Sequence, residues 1–260
     1  MILVYTDSDG VLKESKNPVP EDVLKSIAIA RATKNIIVVR ITGAPAHHLD
    51  DGLVVDRAFA ESGGVELLSS GALSFAPDAD EALQAIQTLK QSLGITTQDG
   101  LAHTPYGTCG IEGIRYTTLT IFLGTHPLYK EHTTSACPQE IAAWIKEHIE
   151  QHGLPLYMRA GSSAAYEYFD IGHPETMKKE RVVHMIGENT SYQYEKIYYL
   201  GDAGNDAGAM QLDGVIPVTF SNGTEEIKDI VRTRNGIYIE KPGPHGGSAE
   251  FFYRLIDGTF

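Results

Sequence analysis

The 260-residue chain carries only two cysteines, Cys109 and Cys137. That excludes a disulfide framework and a cysteine-rich zinc site. Positive charge is scarce as well: 21 Lys and Arg stand against 34 Asp and Glu, a formal net charge of −13. Nucleic acid and anionic membrane surfaces are bound through clustered Lys and Arg, so neither is an expected partner. Long apolar runs are missing, and nothing approaches the ~20 residues of a membrane span. No basic stretch precedes an apolar one at the start, where Asp7 and Asp9 interrupt the opening run. Low-complexity segments and sharp internal repeats are absent. These absences predict a soluble protein of a reducing compartment, the cytoplasm. A hydrophobic content of 42% still suffices for the core of one large domain or two smaller ones.

What is present begins at the end of the first apolar run, Met1-Ile2-Leu3-Val4-Tyr5-Thr6, which leads into Asp7-Ser8-Asp9-Gly10. Side chains alternate along a strand, so two carboxylates on alternate residues point the same way. Two close like charges repel by about 4 kcal/mol at an effective dielectric near 20. A bound cation or a retained proton has to offset that, although Asp, Ser and Gly also make ordinary turns.

The patterning alternates. Met1–Asp7 reads as a strand, Pro20–Thr33 as a helix with Val23, Leu24, Ile27 and Ala30 on one face, and Ile36–Thr42 as a buried strand. Ala58–Ser62 and Val65–Leu68 read as short strands split by a tight turn at Gly63-Gly64. Near the other end, Ile197–Leu200, Val215–Phe220 and Gly236–Glu240 read as strands. Gly208–Leu212, Thr224–Arg232 and Ser248–Ile256 read as helices. Strand, helix, strand in this spacing predicts right-handed parallel crossovers. The expected fold is therefore α/β, a doubly wound, mainly parallel Rossmann-like core built from 1–80 and 176–260. An α/β module over 81–175 is inserted in it, patterned helix-strand-strand twice. Its first two β-rich stretches are joined through the Gly-rich Gly107–Gly113.

Ligands of such sheets bind at the carboxyl ends of strands, and two more segments end or follow strands there. Gly201-Asp202-Ala203-Gly204-Asn205-Asp206 places carboxylates beside glycines that admit close approach of an ion. Hard oxygen ligands of this kind suit Mg²⁺ rather than zinc. Thr42-Gly43 offers a hydroxyl and a backbone N–H at a strand-to-helix turn, a phosphate cradle. Lys178-Lys179 precede the apolar helical face of Val182, Val183 and Ile186. A lysine in a first helical turn opposes the dipole and points to an anion nearby. His148 and His152 have metal-like spacing, yet Ile149 and Glu150 break the zinc-protease pattern, so a solvated helix face is expected. His47-His48 is expected on a surface helix. The Gly243–Gly247 stretch with His245 falls near the last strand end.

Together these segments resemble the motif set of the haloacid dehalogenase superfamily of phosphohydrolases. Asp7-Ser8-Asp9-Gly10-Val11-Leu12 is similar to its first motif, Asp-x-Asp-Gly-(Thr/Val)-Leu, and Thr42-Gly43 to its second. A lysine at 178 or 179 resembles the third, and Gly201 through Asp206 the fourth, Gly-Asp-x-x-Asn-Asp. The insert resembles the cap of the IIB (Cof-like) subgroup, Glu61-Ser62-Gly63-Gly64 is similar to that subgroup's Glu-Asn-Gly-Gly/Ala stretch, and Ser221-Asn222-Gly223 to its Asn-Ala stretch before the penultimate helix. The resemblance implies a Mg²⁺-dependent phosphatase in which Asp7 is the nucleophile and Asp9 the general acid and base. It implies phosphoryl contacts from Thr42, Gly43, Lys179 and Asn205. The metal would be held through Asp7, Asp9 (by its backbone carbonyl) and Asp202, with Asp206 supporting its shell.

The chain departs from that pattern in two places. Ala44 follows Thr42-Gly43 where the family has Arg, and Ser62 stands where it has Asn. Lys179 is preferred over Lys178 because it sets the spacing to Val182, Val183 and Ile186 that the family helix shows. The expected substrate is a small phosphorylated metabolite, a sugar phosphate or related organic phosphate. His103, Tyr106, Arg115, His132 and Arg159 of the insert are candidates for reading its leaving group, Arg115 and Arg159 foremost. The alternatives are a phosphomutase or phosphotransferase of the same superfamily and a non-catalytic metal- or ligand-binding protein on this fold.

Overall fold

The computed structural model describes residues 1–15, 17–33, 35–95, 101–112, 115–123, 137–162, 167–189 and 193–260. His132, Gly113 and Tyr166 lie outside the described residues. The chain divides into two compact units, Met1–Ser74 with Lys178–Phe260, and Phe75–Met177.

The chain opens with β1 (Ile2–Thr6), α1 (Glu21–Thr33), β2 (Ile36–Ile41), β3 (Arg57–Ala60), β4 (Val65–Leu67) and β5 (Leu73–Phe75). The second unit holds α2 (Ala79–Ser92), β6 (Leu101–Thr104), β7 (Gly107–Ile111), β8 (Thr118–Leu123), α3 (Pro138–Gln151), β9 (Tyr157–Ser162) and β10 (Glu167–Gly172). The first unit then resumes with α4 (Lys179–Asn189), β11 (Lys196–Leu200), α5 (Ala207–Met210), β12 (Val215–Phe220), α6 (Glu225–Thr233), β13 (Ile237–Ile239) and α7 (Gly247–Asp257).

The large sheet has eight strands in the order β13-β12-β11-β1-β2-β3-β4-β5, parallel from β13 to β3 and antiparallel at β3–β4. The first strand of the chain is thus central. Thr6 lies level with Leu200 of β11 and Arg40 of β2, so three strands end at one edge. Alternation of side chains sends Val4, Val38, Tyr198 and Val218 to one face, under Val23 and Ile27 of α1 and Phe251, Phe252 and Leu255 of α7. Leu3, Tyr5, Val39 and Tyr199 go to the other, under Val182, Val183 and Ile186 of α4 and Ile227 and Val231 of α6. Helices on both faces of a mainly parallel sheet make the unit doubly wound.

The hairpin at β3–β4 differs from the expected Gly63-Gly64 turn. Glu61, Ser62 and Gly63 form one 3-10 turn with successive left-handed φ angles of 51°, 58° and 104°. Only glycine takes that conformation without a penalty, which is roughly 1–2 kcal/mol for each of the other two. The turn is held by Glu61 N–H donating to Ala44 O (3.0 Å) and Ser62 N–H donating to Thr42 O (2.8 Å). His47 and His48 lie on a four-residue 3-10 turn, Ala46–Leu49, rather than a surface helix.

The second unit has a five-stranded antiparallel sheet in the order β6-β7-β8-β10-β9. Three strands, not two, follow α2. The Gly-rich segment expected as a connection is itself β7, paired on both sides by β6 and β8, and two ladders outweigh the weak strand preference of glycine. One face carries Ile111, Leu119, Ile121, Phe169 and Ile171 against Ile86 and Leu89 of α2 and Ile141 and Ile145 of α3. The opposite face carries a polar row, Thr120, Asp170 and Arg159 lying side by side across β8, β10 and β9. Among the described residues no helix is long and apolar enough to cross a membrane.

Phe251 is fully buried, with ring contacts to Tyr198, Phe252 and Phe260. Phe251→Ala is expected to cost about 3–5 kcal/mol, read from urea denaturation. A loss under about 1 kcal/mol would show that α7 does not clamp the sheet.

Candidate active site

Asp7 follows β1 directly, and its N–H donates to Leu200 O of β11 (3.0 Å). The register therefore delivers Asp7 and the Gly201–Asp206 loop to the same edge. Lys179, the first residue of α4, is completely buried between them. Its Nζ stands 3.0 Å from Asp7 Oδ1, an ion pair without hydrogen-bond alignment, and donates to Asp206 Oδ1 at 2.8 Å. An ammonium at a helix N-terminus opposes the dipole, and the two carboxylates offset it.

Asp206 is saturated. Its Oδ1 accepts from Lys179 Nζ and from the Tyr199 hydroxyl (3.0 Å), and its Oδ2 accepts from the N–H groups of Asp202 (3.2 Å) and Ala203 (3.3 Å). Four donors on one carboxylate leave no lone pair to spare, so Asp206 orients the loop and Lys179. Asp202 is less satisfied. Its Oδ2 lies 3.5 Å from Asn222 Nδ2, and its Oδ1 is buried without a partner. Gly10, at φ 79°, lies so close that a Cβ there would overlap the Asp202 carboxylate. Asn222 ties this region together, donating to Gly10 O (2.8 Å) and accepting from Gly243 N–H (2.9 Å).

Carboxylate oxygens of Asp7, Asp202 and Asp206 all lie within 4.8 Å of one another. Asp9 is not in that group; it is half-buried and leads into the turn closed by Gly10 N–H donating to Lys13 O (2.8 Å). Thr42 is buried at the end of β2, its Oγ1 accepting from Ala44 N–H (3.1 Å). A Cβ on Gly43 would stand 3.6 Å from Asn205 Nδ2 and 3.7 Å from Ser62 Oγ, so Gly43, Asn205 and Ser62 are neighbours. The Asn205 Oδ1 is also buried without a partner.

Burial pushes the Asp7 carboxyl up to about 7, with Asp206 and Asp9 adding and Lys179 opposing. Burial pushes Asp202 up to about 8, helped by the Asp7 and Asp206 charges. Burial alone would lower the Lys179 ammonium, but Asp206 and Asp7 outweigh it and hold it above its usual value. The Tyr199 hydroxyl is raised by burial and by Asp206 and stays a donor.

In the second unit, Arg115 pairs with Glu112 and donates to Thr118 Oγ1 (3.0 Å), while Arg159 pairs with Asp170 (3.3 Å). Thr120 Oγ1 donates to the other Asp170 oxygen at 2.6 Å. Both arginines thus already hold a carboxylate. His103 and Tyr106 belong to the β6–β7 hairpin and are exposed, His103 beside Thr108 (3.2 Å). His148 packs edge-on against Trp144, and His245 meets Glu14 at 2.8 Å on the surface. Tyr199 was not singled out from sequence, because a tyrosine in a buried strand reads as core. The signal that finds it is its place two residues before Gly201-Asp202.

The eight-stranded sheet, the polar strand ends and the insert define the haloacid dehalogenase-like hydrolase fold. Solved structures of that fold match over nearly the whole chain. A haloacid dehalogenase-like hydrolase from Bacteroides thetaiotaomicron is 15% identical, with 97% of this chain and 98% of that one covered and a TM-score of 0.62. The sucrose-phosphatase of Synechocystis sp., solved with sucrose and phosphate, is 16% identical, with 98% of each chain covered and a TM-score of 0.63. A subclass IIB sugar phosphatase of the superfamily is 14% identical, with 98% and 99% covered and a TM-score of 0.57. No family model and no curated protein sequence matches the chain.

The raised carboxyls have a consequence for stability. Asp7 and Asp202 keep protons in the folded chain at pH values where the unfolded chain has lost them. Their contribution is full below about pH 4 and is lost as pH rises through 7 to 8. In EDTA, the denaturation midpoint is expected to fall between pH 5 and pH 8. Asp202→Asn is expected to flatten that fall and to exceed the parent at pH 8. A steeper fall in the variant would contradict the assignment.

Proposed function

We propose that the chain is a Mg²⁺-dependent phosphatase of small phosphomonoesters, sugar phosphates or related organic phosphates, acting through an aspartyl-phosphate on Asp7. The observation that carries this reading is the fully buried Lys179 ammonium set between Asp7 and Asp206, with Asp202 beside them, at the carboxyl ends of parallel strands. Membership in the haloacid dehalogenase superfamily, with Asp7, Asp9, Thr42, Lys179 and Asp202 in its motif positions, belongs to the same reading.

The donor set fits a hard divalent cation. When ionised, Asp7, Asp202 and Asp206 together carry two negative charges beyond what the Lys179 ammonium offsets, and Asp202 Oδ1 and Asn205 Oδ1 are buried oxygens without partners. Asp7 and Asp202 would hold the ion together with the Asp9 carbonyl, while saturated Asp206 stands behind them. Bound Mg²⁺ would keep Asp7 and Asp202 ionised and neutralise charge on phosphoryl oxygens.

In the first half-reaction Asp7 attacks phosphorus, and the bond from phosphorus to the ester oxygen breaks. Asp9 gives that oxygen its proton, so the alcohol leaves neutral. Lys179, Thr42, the Gly43 N–H and Asn205 hold the phosphoryl oxygens. In the second half-reaction Asp9 takes a proton from water, which attacks the aspartyl-phosphate and restores Asp7. Splitting one displacement into two through a carboxylate is the gain the covalent route offers.

The second unit would read the leaving group. Arg115 and Arg159 are each neutralised by a carboxylate, which favours hydroxyls over a second anionic group. Sugar phosphatases share the fold, which supports a sugar phosphate as the substrate class. The cytoplasm and small phosphorylated metabolites are the setting and partners that go with it.

Asp7→Asn is expected to lower phosphate release from p-nitrophenyl phosphate at least about a hundredfold per folded molecule, the folded fraction being read by circular dichroism because Lys179 loses a charged partner. Excess EDTA should abolish the parent's activity, and Ca²⁺ should restore it poorly because its larger, looser coordination misplaces the nucleophile. A tenth of the parent rate in the Asn variant, or full activity in EDTA, refutes the reading. Arg159→Ala should change kcat/KM unequally across a panel of sugar phosphates and leave p-nitrophenyl phosphate unaffected. Equal changes on every ester would remove Arg159 from substrate recognition.

A further inference from the structure

A second buried knot of charge lies on the other face of the large sheet. Arg40 shares the Val38 side of β2, the side covered by α1 and α7, and is 1% exposed. Its Nη1 and Nη2 donate to Asp51 Oδ1 (2.8 Å) and Oδ2 (2.7 Å), the bidentate geometry of a strong pair. Its Nε donates to Ser8 Oγ at 2.6 Å, and Ser8 is the residue between Asp7 and Asp9. The same Asp51 Oδ2 also pairs with Lys13 Nζ at 3.1 Å, both side chains being nearly inaccessible.

One carboxylate therefore grips both ends of the Ser8–Lys13 turn, at Ser8 through Arg40 and at Lys13 directly. Within the turn, Ser8 O accepts from the N–H groups of Leu12 (2.8 Å) and Lys13 (3.0 Å). Burial works to raise the Asp51 carboxyl, but Arg40 and Lys13 overcome it and hold it below its usual value. A bare turn needs no such investment: burying Arg, Lys and Asp together carries a desolvation cost that packed apolar groups avoid. The geometry that results fixes Asp7 on one side of Ser8 and Asp9 on the other.

We propose that Arg40, held by Asp51 and joined by Lys13, is a positioning residue for the Asp7-Ser8-Asp9 turn and acts through the Ser8 hydroxyl. This rests on the phosphatase reading for its effect on turnover and has a separate consequence for cation binding. A carboxylate displaced by about 1 Å costs on the order of a hundredfold in rate. Loosening the turn therefore lowers kcat, while KM, set by phosphoryl contacts on other elements, stays put.

The test uses Ser8→Ala, which deletes one hydroxyl and leaves Arg40 paired with Asp51. With p-nitrophenyl phosphate and Mg²⁺, kcat is expected to fall about tenfold or more and KM to stay within about twofold. The melting temperature is expected to drop by no more than about 4 °C. Mg²⁺ alone, titrated by calorimetry, should bind the variant several-fold more weakly. Arg40→Lys keeps the charge without the fork, and in that background Ser8→Ala should add little, since coupled partners are not additive. Unchanged kcat in Ser8→Ala overturns the proposal, and so does a loss that merely follows the unfolded fraction. If the Arg40 variant does not fold, Ser8→Ala alone decides. If the parent binds Mg²⁺ without turning over phosphate esters, the phosphatase reading falls. The Mg²⁺ affinity of Ser8→Ala then decides, an unchanged value overturning the positioning role. A parent that neither binds Mg²⁺ nor hydrolyses esters overturns both.

Discussion

Lys179 is a charge that the fold cannot carry alone. A lone ammonium with no exposure would lose its proton or unfold the chain, so its stability depends on Asp7 and Asp206 at 3.0 and 2.8 Å. Removing one partner of a buried pair costs about 3–5 kcal/mol, which makes the arrangement mutually binding. That dependence reaches outward. Asp206 can face Lys179 only because two backbone N–H groups and the Tyr199 hydroxyl fix its other lone pairs. Asp7 can face it only because β1 lies between β2 and β11 with their ends level. The order of the sheet and the ion pair are one constraint seen at two scales.

Much of this was legible in the sequence. The strands around the site are short apolar runs that end in charged or glycine residues, so β1, β2, β11 and β12 stand out with their order of appearance. The carboxylates 7, 202 and 206 follow those endings, the lysine at 179 precedes an apolar helical face, and the structure brings the three carboxylates within 4.8 Å of one another with Lys179 against Asp7 and Asp206. Legibility failed where a local rule lost to tertiary pairing. Gly107–Ile111 reads as a connection because glycine is a poor strand former, yet ladders on both sides make it β7. Glu61 and Ser62 read as the end of a strand, yet in the structure they are left-handed and bonded to Ala44 and Thr42. Arg40 shows the same limit. A lone arginine in the run Ile36–Ile41 gives no hint of its partner at 51, since pairing across a loop leaves no periodic trace.

The strained turn and the site are neighbours by necessity. Ser62 N–H donates to Thr42 O, and Ser62 Oγ lies near Gly43, so the left-handed residues are what brings the hairpin back over the end of β2. Backbone strain of this kind persists only where its surroundings over-determine it. Here those surroundings are the buried Glu61 and Ser62 themselves and the Arg181 guanidinium, which donates to Gly63 O at 3.2 Å.

The sheet order also governs when chemical competence arises. The nucleophile candidate enters with β1, before the inserted unit, whereas Lys179, Asp202 and Asp206 follow that unit. During synthesis the emerging chain exposes Asp7 and Asp9 long before the ammonium that would share their charge has been made. β1 meanwhile has one eventual neighbour, β2, and an open edge where β11 will dock. A ribosome-bound fragment therefore lacks the assembled carboxylate cluster and carries a central strand open on one side, the kind of edge that recruits other chains. Docking of β11 closes that edge and brings the Gly201–Asp206 loop to Asp7, tying the end of aggregation risk to the assembly of the carboxylate cluster.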